Sequence, residues 1–104
     1  MVIAAPRRNR VETYAEYVVE CVWPGVSIAD VDVLDRRARV IARRERRRGI
    51  PVHYLGSILL PTDEVVFFQF LAGSAAAVVE TSARAGIPFQ RIVPAVRSPM
   101  EVTP

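Results

Sequence analysis

The sequence predicts an α+β fold. The expected form is a ferredoxin-like β-α-β-β-α-β sandwich, a four-stranded antiparallel sheet with two helices on one face. Three observations carry this. Four short segments have a two-residue apolar period, two other segments have a three- and four-residue period, and the two middle strands flank a turn. A central hairpin with right-handed crossovers makes this the simplest arrangement of that order. At 104 residues the chain has room for one core. It divides into a flexible N-terminal tail (1–10), a single domain (11–97) and a C-terminal tail (98–104).

The first strand is Val11–Trp23. Thr13, Ala15, Tyr17, Val19 and Cys21 point one way, and Tyr14, Glu16, Val18 and Glu20 the other. Pro24-Gly25 ends it. A long helix follows over Ser27–Arg48. Ser27 and Asp30 form an S-x-x-D start, and Asp30, Asp32 and Asp35 sit near the positive end of the dipole. Ile28, Val31, Leu34, Ala38, Ile41 and Ala42 make its apolar stripe. Asp32–Arg36 and Asp35–Arg39 are i,i+4 pairs, each contributing roughly 0.3 kcal/mol. Gly49 stops the helix.

Val52–Leu60 and Glu64–Leu71 are the hairpin strands, joined through Pro61-Thr62-Asp63. Ser74–Ala85 is an alanine-rich helix, capped by Ser74 and closed by Gly86. Gln90–Val96 is the last strand. The two helices cover one sheet face and leave the other open. A second subunit would close it, giving a homodimeric α/β barrel.

Composition removes several function classes. The hydrophobic fraction is 51% and the charged fraction 24%, which is ordinary for a globular chain. No apolar run is long enough to span a bilayer, and the first ten residues lack the order of a signal peptide, so the expected location is cytoplasmic with no membrane partner. Cys21 is the sole cysteine, which excludes an intrachain disulfide. The 14 basic residues are all arginine, a bias that reflects GC-rich codon usage more than phosphate binding. The run Arg43–Arg48 reads as a solvated helix end complementing the dipole, not as a nucleic-acid surface, since no recognition motif accompanies it. There is no phosphate loop, dinucleotide fingerprint or hydrolase nucleophile motif.

The candidate site lies on the open face. With a three-residue turn, Leu59 pairs with Val65, Ser57 with Phe67 and Leu55 with Gln69, and His53 follows on the same side. Together with the last strand this gathers Tyr14, Glu16, Glu20, His53, Ser57, Gln69 and Arg91 over a floor of Val18, Leu55, Phe67 and Val93. Mostly apolar, with a few convergent polar groups, it has the makeup of a small-molecule pocket. His53 is the only side chain suited by nature to exchange a proton near neutral pH, and so is a candidate acid–base catalyst. Glu16 is the second candidate, because burial in a dimer cavity would raise its pKa. Arg91 is the candidate partner of Glu16 and Glu20, or holder of an anionic oxygen. Tyr14, Glu20, Ser57, Phe67 and Gln69 complete the candidate ligand-binding set.

PTDEVVFFQF (Pro61–Phe70), ARAGIPFQRIV (Ala83–Val93) and YVVECVWPG (Tyr17–Gly25) resemble small actinobacterial proteins of unknown function grouped with a nickel-binding ferredoxin-like protein. The resemblance spans roughly Tyr14 to Arg97. It implies a dimeric α/β barrel with a metal or small-molecule role, with nickel as the metal; His53, the sole histidine, is the ligand candidate from its own chemistry if a metal is held. The family's ligands have no residue-by-residue match here. The expected function is therefore a homodimer binding a small organic molecule, with proton transfer that needs no cofactor, as in an isomerase, cyclase or oxygenase. The alternative is a nickel or other transition-metal binding protein.

Overall fold

The computed structural model describes residues 14–98. The tail over 1–10, the expected strand start at 11–13 and the last six residues lie outside that range. The elements are β1 (Ala15–Val22), α1 (Ile28–Arg47), β2 (Val52–Leu60), β3 (Val65–Ala72), α2 (Ala75–Ala85) and β4 (Arg91–Ala95). They form one four-stranded antiparallel sheet in the order β2-β3-β1-β4, the ferredoxin-like arrangement.

Alternation builds the core. Val19 and Cys21 of β1 and Val66, Phe68, Phe70 and Ala72 of β3 are buried on one face. Against them lie Val31, Leu34, Ala38 and Ala42 of α1 and Ala77, Val78 and Ala85 of α2, so both helices cover the same side. Phe68 and Phe70 are fully buried, and truncating either to alanine costs about 3–5 kcal/mol. Ile28, expected in the α1 stripe, is 71% exposed, because it is the first helical residue and precedes contact with the sheet.

The caps follow the sequence. Ser27 and Asp30 exchange hydrogen bonds as a capping box, Asp30 N–H donating to Ser27 Oγ at 3.1 Å and Ser27 N–H to Asp30 Oδ2 at 3.0 Å. Ser74 caps α2, and Gly86 closes it in the left-handed region at φ 80°.

Two expectations are corrected. The Asp32–Arg36 and Asp35–Arg39 ion pairs do not form among the described residues. Asp35 instead accepts the Tyr54 hydroxyl, and the Arg39 guanidinium lies 5.5 Å from the Tyr54 ring centroid. The hairpin turn has four residues, Pro61–Glu64, so Leu60 pairs with Val65 and Leu59 with Val66. Glu64 enters the turn at φ 55°, and the β1 exit holds it there. Trp23 N–H donates to its carbonyl at 2.8 Å and Gly25 N–H to its carboxylate at 2.8 Å.

Candidate functional site

The face that the helices leave uncovered is ordered in rows by the strand pairing. One row runs His53, Leu71, Glu16, Ala95; the next Gly56, Gln69, Val18, Val93; the next Ile58, Phe67, Glu20, Arg91. Opposed residues in a ladder share a face, so these side chains stand together on the open side. Of the expected site residues, the registers place Glu16, Glu20, His53, Phe67, Gln69 and Arg91 there. Tyr14, just before β1, joins them through its ring, 5.8 Å from that of His53.

Ser57 does not belong to this face. It pairs with Phe68, on the helix-covered side. The shift is physical. The turn is one residue longer than expected, which inverts the phase of β2 beyond it. A β-bulge between Tyr54 and Gly56 then restores the phase, so His53 still pairs with Leu71. Ile58 and Leu60 take the open-face positions expected of Ser57 and Leu59, and Leu59 packs against the core.

The carboxylates are ion-paired. Arg91 Nε donates to Glu20 Oε1 at 2.6 Å, as the adjoining strands suggest. Arg97, absent from the expected set, takes Glu16 through both oxygens at 2.9 and 2.7 Å. Its signal was the alternation of β4, where Arg91, Val93 and Ala95 lead to Arg97 two residues on. Arg97 holds the Glu16 carboxyl below the ordinary carboxylate range, through its hydrogen bond first, with partial burial opposing and its charge adding. The expected upward shift from burial is thus outweighed within the chain.

Between this pair and β3 lies a shallow hollow of about 170 Å³, lined by Glu16, Val18, Gln69, Ala95, Val96 and Arg97. Pockets for drug-sized ligands run from ~300 to ~1,000 Å³, so this hollow alone is half a site. Toward the β2 edge of the same face, apolar residues are poorly covered: Ile58 is 47% exposed and Leu60 38%. A larger hollow of about 290 Å³ lies elsewhere, between α1 and α2, and takes no residue of the sheet face.

Within the described residues of one chain a resident metal finds no fit. Among the described residues, no group of three His, Cys, Asp or Glu side chains is placed to hold an ion. Cys21 is buried on the helix-covered face, away from His53, and burial pushes its thiol up to about 12. His53 also lines a hollow with Arg39, Arg43 and Arg46, whose charges repel a cation. Nor is any helix of the described residues long and apolar enough to cross a membrane.

No family model matches the chain, and no curated protein matches it. Among solved structures it resembles SCO4226 from Streptomyces coelicolor A3(2). The TM-score is 0.67 at 17% identity, covering 82% of this chain and 100% of that one. At that identity the likeness shows the fold alone, the same α+β sandwich reached from the strand order.

Proposed function

We propose that the chain works as a homodimer that binds a small organic molecule against its uncovered sheet face. The observation that supports this most is the makeup of that face: an apolar floor with Gln69 at its centre and two carboxylate–guanidinium pairs along its β1–β4 side. A floor of this kind left in water is unfavourable, and a second copy opposite would both cover it and enlarge the 170 Å³ hollow. The enclosed pairs would then be desolvated and their fields strengthened.

The chemistry this arrangement suits is proton transfer on an anionic or enolisable molecule. Arg97 and Arg91, fixed by Glu16 and Glu20, offer the remaining donors of their guanidinium forks to a carboxylate or enolate oxygen. Gln69 supplies a neutral hydrogen bond. His53 is the acid–base candidate, two strands from Glu16 and thus roughly 10 Å across the face. Glu16, kept ionised by Arg97, serves better as the anchor of that guanidinium than as an acid.

The test is a panel of small organic acids and ketones screened by thermal shift against wild type, Gln69→Ala and His53→Ala. A compound that stabilises the wild type and loses at least tenfold in affinity with Gln69→Ala supports the site. Turnover of that compound lost in His53→Ala, with binding kept, supports the acid–base role. Equal binding by wild type and Gln69→Ala would place the ligand elsewhere.

A further inference from the structure

The outer surface of α1 has a separate chemistry. From Arg36 to Arg48 the sequence RRARVIARRERRR holds eight arginines, all exposed, and a single acid, Glu45, which is buried. Only Arg48 of the eight has a carboxylate within ion-pairing distance among the described residues, at 3.1 Å from Glu45. The helix dipole accounts for Arg44, Arg46 and Arg47 in the last turn, but its effect fades before Arg36, Arg37, Arg39 and Arg43. Arg39 is engaged with the Tyr54 ring and Arg46 donates to the Val52 carbonyl at 2.9 Å. Arg36, Arg37, Arg43, Arg44 and Arg47 project with no carboxylate partner among the described residues.

Guanidinium groups rim both flanks of the helix. On one side Arg36, Arg37 and Arg44, with Arg84 from α2, border the 290 Å³ groove over Val40 and Ile41. On the other, Arg39, Arg43 and Arg46 border the 170 Å³ hollow beside His53. The net charge of the chain is only +3, so this face is basic through segregation of charge, not through excess.

The sequence alone assigns Arg43–Arg48 to a solvated helix end; with the charge carried on to Arg36 and across the groove to Arg84, we infer instead that this face of α1 binds the phosphodiester backbone of a nucleic acid. Length decides for a polymer. The arginines extend over roughly 18 Å of helix at 1.5 Å per residue, and a single small anion would occupy two or three guanidiniums and leave the rest unneutralised. Composition decides for a nucleic acid over a lipid surface. The Arg36–Arg48 segment has no Trp, Phe or Leu to enter a bilayer interface. It has no aromatic ring to stack a base either, so recognition is by phosphate alone and independent of sequence. The uncovered sheet face lies on the opposite side of the sheet, so this inference stands whether or not the proposed dimer forms.

The experiment is fluorescence anisotropy of the full chain with a labelled 20-nucleotide RNA single strand and a duplex DNA of the same length, alongside sedimentation with anionic phospholipid vesicles. Binding is expected with Kd of about 10⁻⁴–10⁻⁶ M near physiological salt. With four phosphates neutralised, affinity for the duplex falls on the order of a hundredfold between 50 and 200 mM salt. Two variants of equal charge change locate the site. Arg36→Gln with Arg44→Gln lowers affinity at least tenfold, and Thr62→Glu with Ser98→Glu, at the β2–β3 turn and after β4, lowers it less than threefold. No binding to either nucleic acid at 50 mM salt overturns the inference. So does an equal loss in the two variants, or binding to vesicles alone. Retained secondary structure by circular dichroism shows that each variant is folded.

Discussion

Arg97 grips Glu16 through both carboxylate oxygens, joining the strand end after β4 to the second residue of β1 across the open face. The hydrogen bond lowers the Glu16 pKa from its ordinary 4.5. A group whose folded pKa is depressed contributes stability that is present above the unfolded value and is lost as pH falls through the folded one. Arg97→Ala is therefore expected to return the Glu16 midpoint toward 4.5 in a carboxyl-resolved NMR titration. The loss of stability at neutral pH should be small, because the Arg97 side chain is 58% exposed and screened by water. Below the folded midpoint the variant and the wild type should be equally stable. A midpoint unmoved by the substitution would mean that Arg97 does not hold Glu16.

Gly56 is the residue that returns β2 to phase, and it does so at φ 139°, where side-chain-bearing residues are strained. Nothing lies within 4 Å of the position a Cβ would take, so the cost of Gly56→Ala is backbone strain alone. Denaturant unfolding should show a loss of about 1–3 kcal/mol. A neutral substitution would show that the bulge relaxes freely.

The same stretch marks the limit of what the sequence discloses. β1, β3 and β4 alternate without interruption, so Glu16, Glu20, Gln69 and Arg91 could be assigned to the open face from their spacing. β2 could not be followed, because its phase depends on two backbone events. Recruitment of Glu64 into the turn depends on Trp23 and Gly25, which are distant in sequence. The bulge at Gly56 cancels that shift, which is why His53 lands where simple alternation puts it while Ser57 does not. Ser57→Ala is accordingly expected to leave open-face ligand binding unchanged.

Tyr54 ties β2 to α1 through its hydroxyl bond to Asp35. Burial, and then the Asp35 carboxylate, push its phenol well above the ordinary 10. For a raised pKa, the stabilisation is complete below the unfolded value and is lost as pH rises from there toward the folded one. Spectrophotometric titration should thus find one of the three tyrosines resisting ionisation until the protein unfolds in alkali. Tyr54→Phe should abolish that resistant step and cost about 1.5–3 kcal/mol, since the bond is to a charged acceptor. A Tyr54 phenol that ionises near its ordinary 10 in the folded wild type would refute the contact.

The proposed dimer turns on the apolar residues that the chain leaves in water. Ile58 and Phe67 are opposed across β2 and β3 on the open face, and Ile58 is 47% exposed. Neither contributes to the helix-covered core, so Ile58→Arg should leave the monomer fold intact. In a dimer closed face to face, the same substitution would bury a guanidinium without a partner, which costs several kcal/mol. A wild type that sediments as a dimer and an Ile58→Arg variant that sediments as a folded monomer are the expected results in analytical ultracentrifugation. A stable interface of standard size buries about 800 Å² per partner and would span several strands of the open face, so Phe67→Arg should dissociate it as well. A wild type that is monomeric at high micromolar concentration would refute the closed cavity, and with it the enlargement of the Glu16–Gln69–Arg97 hollow on which the binding role depends.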